Sequence, residues 1–440
     1  MLFSRLLRIA LPRALAYTIP VIGLLVFGCF AQTSASLSPV ERGRIFEQVW
    51  KLINEKYYDA NFNAVNWQQV HDRYRPRLTD VRTHKDFYDL LKQMTGELHD
   101  AHTRFRSPDE RQRANNLQSV TPGLGIGEVD GKPVVISVEP ESEADRAGIE
   151  PGMIINTVNG LSFEQEVARA QAEVGSSSSG RATVLLSYYW LLSGDPDTSL
   201  RLGLIRPDGS HFDAVLTRRV VSQGYILLAK ALPSGYTYLK LPVFDEENTK
   251  QLKVALAKSK NTRGLILDLR GNTGGDFHAV LNAADYFFPE KVPFGKVIAR
   301  SGKKPSLILR MLGVPADLNV GDAGGNAFTG PVVILVNEGS ASGAELFAAG
   351  MQENGRAAIV GRQTCGCLLA SVPHKVKGGG EVDISEFNVL TAKGRRLEGV
   401  GVFPDVTVPL TLEDLRDRHD ATLRQAVAIL HTASGRQAER

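Results

Sequence analysis

Apolar positions along this chain follow three different rhythms. Over residues 38–105 they recur at helical spacing, first Phe46, Val49, Trp50, Ile53 and Tyr57, then Phe87, Leu90, Leu91 and Met94. Ser38-Pro39 starts the block, with proline at the first helical position. After a polar stretch, 108–119, that reads as a linker, short apolar runs such as 134–138 alternate with glycine-rich turns. From Gly224 the pattern changes again. Strands are expected over 236–243, 264–269, 332–336 and 357–360, with helices over 246–259, 277–287 and 344–351 between them. This alternation predicts an α/β domain. Residues 300–330 read as a mobile insertion, and 411–431 as a final amphipathic helix. Two stretches interrupt the middle region. Gly175-Ser-Ser-Ser-Ser-Gly180 reads as flexible, and the aromatic run 184–192 as an insertion whose side chains are expected mainly in the core. No internal repeat is visible.

Composition changes this picture at one end. Residues 1–31 resemble a secretory signal, with Arg5, Arg8 and Arg13 ahead of an apolar stretch. Cys29-Phe-Ala31 would serve as a cleavage site, Val26-Phe-Gly-Cys29 as a lipidation site, and the segment could also stay as an anchor. Removing it takes away three arginines and no acid, which brings the 51 basic residues level with the 48 acidic ones. The basic balance therefore belongs to the leader, and nothing argues for nucleic acid. Besides Cys29 there are only Cys365 and Cys367, too few for a four-thiolate zinc site or a disulfide framework. His99 and His102 are spaced to share a helix face, but they lack acidic partners at helical spacing beyond Asp100, so no metal is expected.

The candidate chemistry centres on residues 332–350. A buried strand runs into Gly339-Ser-Ala-Ser-Gly343 and then into a helix. A serine in such a turn sits at a helix N-terminus, where free N–H groups stabilise an oxyanion; the plainer reading is a serine-capped helix. Arg270-Gly-Asn-Thr-Gly-Gly275, at the end of another expected strand, can bring backbone amides to the same place. A serine is not nucleophilic at neutral pH without a base, and imidazole titrates in the right range.

The middle region resembles a PDZ domain. Gly123, Leu124, Gly125 and Ile126 match the loop that captures a peptide's terminal carboxylate, and Ala147-Gly-Ile-Glu-Pro-Gly-Met-Ile154 matches a following turn. From about residue 40 to 410, Asp268-Leu-Arg-Gly-Asn-Thr-Gly-Gly275, Asn337-Glu-Gly-Ser-Ala-Ser-Gly-Ala-Glu345 and Gly401-Val-Phe-Pro-Asp405 resemble the tail-specific, or C-terminal processing, peptidases. The resemblance implies a crotonase-like core (ClpP/crotonase-type), Ser342 as nucleophile with Ser340 only lining the turn, and the Gly343 and Gly275 amides as oxyanion donors. One departure stands out. Where that family places a general-base lysine, this chain has Cys367, and Lys375 and Lys377 do not match the motif. The tricorn-type branch takes its base from N-terminal helices, and Trp67-Gln-Gln-Val-His-Asp-Arg-Tyr-Arg-Pro76 and Gly96-Glu-Leu-His-Asp-Ala-His102 resemble those helices. This likeness implies His102 as base and Glu398 as its acidic partner. The helper serine that precedes the histidine in that branch is Ala101 here, so Glu398 would contact His102 directly, through Thr103 or through water.

The resulting expectation is an exported serine endopeptidase, periplasmic or lipid-tethered through Cys29, that cleaves protein or peptide tails and uses no cofactor. Its parts are a signal at 1–31, a helical subdomain at 38–108, a PDZ-like domain at 119–219, an α/β catalytic core at 224–410 and a C-terminal helix and tail at 411–440. Two rivals stand beside it: an inactive PDZ-containing scaffold that binds peptides or ligands, and a thiol-dependent site using Cys365 or Cys367.

Overall fold

In this computed structural model the described residues are 37–438, except 223, 301, 312–313 and 322–323. The expected leader, residues 1–31 with Cys29, lies outside them.

The N-terminal helices Pro39–Lys56, Trp67–Tyr74 and His84–Gly96 form at the expected places. Ser38 and Glu41, and again Thr83 and Asp86, make reciprocal capping boxes that satisfy the exposed first-turn amides. Phe46, Ile53, Tyr57, Phe87, Leu91 and Met94 are fully buried together, because each helix turns one apolar stripe inward. The stretch read as a linker is helical over Pro108–Asn115. Its Ser107/Glu110 capping box and Pro108 supply a strong start signal in a sequence with no apolar face to reveal it.

Gln118–Thr121 and Arg219–Ser222 pair antiparallel, so an inserted unit leaves and returns through one two-stranded stalk. Within it, Leu124–Val129, Lys132–Val138, Ile154–Val158, Ser199–Ile205 and His211–Thr217 form an antiparallel sheet in that order, and Leu124–Val129 is an edge strand. Helices Phe163–Val174 and Gly180–Leu192 cover it. The aromatic run belongs to the second of these helices. Tyr188 and Leu191 are buried, but Tyr189 is 60% exposed, since one turn of helix presents both faces.

The third part is α/β. A six-stranded sheet runs Leu228–Ala231, Thr237–Lys240, Leu265–Asp268, Val332–Val336, Ala358–Gly361, Val406–Thr407, parallel after its first pair. The central strand Val332–Val336 is buried along its whole length, as its unbroken apolar run requires. Helices Glu246–Lys258, Phe277–Asp285 and Gly343–Glu353 share the larger core on one face; Ala426 and Leu430 of the C-terminal helix Ala421–Ala438 pack on the other. A second, antiparallel sheet joins Arg104–Arg106 to Glu381–Thr391, which also pairs with Val292–Ala299 and Leu369–Lys375. The expected mobile insertion contributes Asp317–Val320 to this sheet, against Val292–Ala299. Among the described residues no helix is long and apolar enough to cross a membrane.

Candidate active site

Three turns converge on Ser342. The first ends the buried strand Val332–Val336. Asn337 Oδ1 accepts from the Gly271 and Gly339 amides, and Ser340, wholly buried, donates its hydroxyl to Leu269 O at 2.7 Å. Ser340 is therefore occupied in holding two strand ends together. Ser342 adopts φ +54° and ψ −118°, a sparsely populated region costing about 1–3 kcal/mol that recurs at functional turns. It caps the helix Gly343–Glu353, whose first amides face the same side.

Asn272 brings in the second turn. Its side chain, fully buried, donates to Leu241 O and accepts from Gly274 N, while its carbonyl accepts from Ala341 N. Gly274 is thereby pressed against the Ser342 turn; a Cβ on it would lie 2.6 Å from Gly343 N and 2.8 Å from Ser342 Cβ. Gly275, at φ +138°, would drive a Cβ to 2.1 Å from Phe244 O. No side chain fits at either position. The Gly275 and Gly343 N–H groups find no acceptor among the described residues, which leaves both available to an anion beside Ser342.

The third turn, residues 364–368, is pinned by Glu345. This wholly buried carboxylate accepts from Thr364 Oγ1 at 2.6 Å, Gly366 N at 2.7 Å, Cys367 N at 2.8 Å and Ser342 N at 3.0 Å. Burial raises its pKa, and the four donors oppose that rise. Ser342 N also donates to Cys367 O at 2.9 Å. Cys367 itself is disulfide-bonded to Cys365. The expectation of no disulfide framework thus meets one local bond across a single residue, and the Cys367 sulfur is not a thiolate here.

His102 reaches this cluster from the far end of the chain. After His84–Gly96 the chain turns through His99, at φ +55°, into Asp100. Asp100 Oδ1 accepts from His102 N at 2.8 Å, Thr103 N at 2.6 Å and Ser385 Oγ at 2.9 Å, and Tyr57 donates to Oδ2 at 2.9 Å. The turn projects the imidazole so that Nε2 lies 3.1 Å from Ser342 Oγ. Desolvation by burial lowers the pKa of His102, opposed by the nearby Asp100 charge, so the ring is neutral at pH 7. A neutral imidazole at hydrogen-bond distance can take the serine proton.

Glu398 does not touch His102. Its Oε2 accepts from Leu368 N at 2.7 Å, and the Ser178 hydroxyl lies beside the same carboxyl. Burial pushes its pKa up to about 8. His102 Nδ1 is buried and has no partner among the described residues. The direct and Thr103-mediated links expected between Glu398 and His102 are absent; Thr103 Oγ1 instead accepts from Ser385 N. The carboxylates that sequence reading missed are Asp100 and Glu345. Asp-x-His-Thr is an Asx-turn pattern that could have marked the first; nothing local marks the second as a partner of residues 364–367.

His102, Ser342, Gly343, Gly275 and Leu368 line one cleft of ≈ 2050 Å³ that extends beneath the inserted unit. Among the described residues no group of His, Cys, Asp and Glu is arranged to hold a metal ion. The loop 123–126 lies elsewhere, at the start of the edge strand Leu124–Val129. A separate cavity of ≈ 450 Å³ opens between Gly127 and Glu128 of that strand and Arg181, Val184 and Tyr188 of the helix Gly180–Leu192.

Residues 235–408 match Peptidase family S41, and residues 38–96 match the Tricorn protease C1 domain. The carboxyl-terminal-processing protease of Synechocystis sp. is 26% identical over 415 residues, covering 90% of this chain and 87% of that protein. The carboxy-terminal processing protease CtpA of Bacillus subtilis is 24% identical, covering 80% of this chain and 70% of its own length. Among solved structures, the photosystem II D1 C-terminal processing protease superposes with TM-score 0.58 at 23% identity, over 88% of this chain and 97% of that one. Mature CPAF superposes with TM-score 0.67 at 14% identity, over 90% of this chain and 96% of that one. The chain carries a Peptidase family S41 domain and a Tricorn protease C1 domain, and is a serine-type peptidase similar to the carboxyl-terminal-processing proteases.

Proposed function

We propose that the protein is an endopeptidase in which Ser342 is the nucleophile, His102 the general base, and the Gly343 and Gly275 amides the oxyanion donors. The observation that carries this reading is the 3.1 Å separation of His102 Nε2 and Ser342 Oγ, across 240 residues of sequence. His102 takes the hydroxyl proton as Ser342 attacks a peptide carbonyl. The negative charge that develops on the carbonyl oxygen meets amides already fixed by Asn272 and by the helix start, so little reorganisation is needed. The imidazolium returns its proton to the leaving amine, and a water repeats the cycle to release the acyl group.

The core is crotonase-like in this reading, and the inserted unit is PDZ-like. The edge strand Leu124–Val129 has one side unpaired, as β-augmentation by an extended tail requires. Gly123, Leu124, Gly125 and Ile126 would receive the tail's carboxylate. Substrates are proteins with unstructured C-terminal tails, and the enzyme works after export. Two measurements test the proposal. Ser342→Ala abolishes cleavage of unfolded protein substrates, and fluorophosphonate labels the parent enzyme but not the variant. Equal cleavage by both proteins rejects the nucleophile, and an unlabelled, inactive parent favours the scaffold reading.

A further inference from the structure

We propose that Ser178, carried by the inserted unit, is a positioning residue that holds the His102 loop against Ser342 and is the residue through which Glu398 acts. This rests on Ser342 and His102 being nucleophile and base. Nothing bonded to the far side of the imidazole orients it, because Nδ1 has no partner among the described residues. Orientation must come through the backbone. Asp100 holds the amides of His102 and Thr103, and the preceding amide, Ala101 N, donates to Ser178 Oγ at 3.0 Å.

Ser178 then links onward. Its hydroxyl also lies beside the Glu398 carboxyl, whose charged form it favours, so the oxygen that accepts from Ala101 N can turn its one proton toward Glu398. Glu398 is fixed by Leu368 N, and the next residue back, Cys367, accepts from Ser342 N. The bonds thus form a closed ring: Ser342, Cys367-Leu368, Glu398, Ser178, Ala101-His102, and Ser342 again through Nε2. Cutting it at Ser178 releases the base loop from the nucleophile turn.

The strap around Ser178 is built for this. Ser176 Oγ lies 2.8 Å from His99 Nδ1, and Ser179 Oγ donates to Cys365 O at 2.5 Å. Arg181 donates to Thr364 O at 2.8 Å and also to Val400 O. The serine run that reads as a flexible linker is therefore tied to three catalytic-side turns, because each short hydroxyl can accept from one backbone and donate to another. The ring also explains how Glu398 can matter with no contact to His102.

The test uses the full chain with an unfolded protein substrate, comparing Ser178→Ala, Ser178→Thr, Glu398→Gln and Ser178→Ala/Glu398→Gln. The expected result is a fall in kcat of about tenfold or more for Ser178→Ala, with KM changed less than twofold, because base placement and not binding is lost. Ser178→Thr, which keeps the hydroxyl, recovers most of that loss. The double variant is no slower than the slower single variant, as residues acting in series require. Thermal unfolding of each variant identifies any that fail to fold, and for those the Ser178→Thr and Glu398→Gln pair decides. An unchanged kcat in folded Ser178→Ala, the absence of threonine rescue, or multiplying losses in the double variant would overturn the inference. Ser342→Ala is the control. If it cleaves like the parent, the underlying reading has failed; if it is inactive while Ser178→Ala is normal, only the present inference has failed.

Discussion

Replacing Glu345 by glutamine tests how the Ser342 turn is held. The two side chains have the same shape, so packing hardly changes. Hydrogen bonding changes sharply, because all four partners of Glu345 donate. With the new amide nitrogen at the Oε2 position it would face the Cys367 and Ser342 N–H groups. At the Oε1 position it would face Gly366 N–H, while the Thr364 hydroxyl could turn to accept. The second arrangement costs less, and it still leaves one buried N–H unpaired, at about 1–3 kcal/mol. Turning the remaining charge-assisted bonds into neutral ones costs about 1 kcal/mol more. Burial already disfavours the charge and offsets part of this. The net expectation is a loss of about 2–3 kcal/mol, a large share of the roughly 5–15 kcal/mol that holds a typical domain together. Urea unfolding of the full chain reads it as a lower midpoint for the catalytic part. Because the group released, Gly366 N, belongs to the turn whose Cys367 carbonyl accepts from Ser342 N, fluorophosphonate labelling should also slow about tenfold, or about 1.4 kcal/mol in barrier. If Glu345→Gln unfolds with the parent and labels at the parent rate, the buried carboxylate is not what fixes the turn.

Three further outcomes are expected. His102 must be neutral to accept a proton, and burial depresses its pKa, so kcat/KM should hold as pH falls through the ordinary histidine value of about 6.5 and decline only below it. The charges facing it are Asp100 and Asp383, which raise its pKa, and Arg104, which lowers it; Asp100→Asn should therefore move the acid limb to lower pH, and a shift to higher pH contradicts the assignment. Gly274→Ala places a methyl against Gly343 N and Ser342 Cβ, so labelling and turnover should fall by about a hundredfold or more, the scale of losing an oxyanion donor, while peptide binding measured by calorimetry is retained. Replacing Cys365 and Cys367 together by serine should lower kcat less than tenfold, against a loss of about 10²–10⁴ for His102→Ala; the reverse order in a steady-state assay would point to sulfur as the base.

Much of the scaffold was legible before any coordinates. The strand Val332–Val336 is an unbroken apolar run, and such a run is stable only when covered on both faces. The N-terminal helices carry both a 3.6-residue stripe and capping residues, so local and tertiary preferences agree. The helix Pro108–Asn115 was hidden because it has no buried residue to create a stripe. The serine run 175–180 reads as flexible from sequence because hydroxyls look alike whether they face water or, as here, hydrogen-bond to neighbouring turns.

Sequence alone determined which residue types could do the chemistry and the turns that carry them: a serine between small residues, a glycine pair after a strand, a histidine after a helix. Tertiary structure decided which of them meet. His102 and Ser342 are 240 residues apart, and their approach depends on the strand Arg104–Arg106 pairing with Glu381–Thr391, and on the Asp100 turn being filled by Ser385 and Tyr57. It also decided that Glu398 accepts from the Leu368 amide and lies beside Ser178. A side chain's partners at long range are set by the packing of whole elements, and no local preference along the chain encodes that distance.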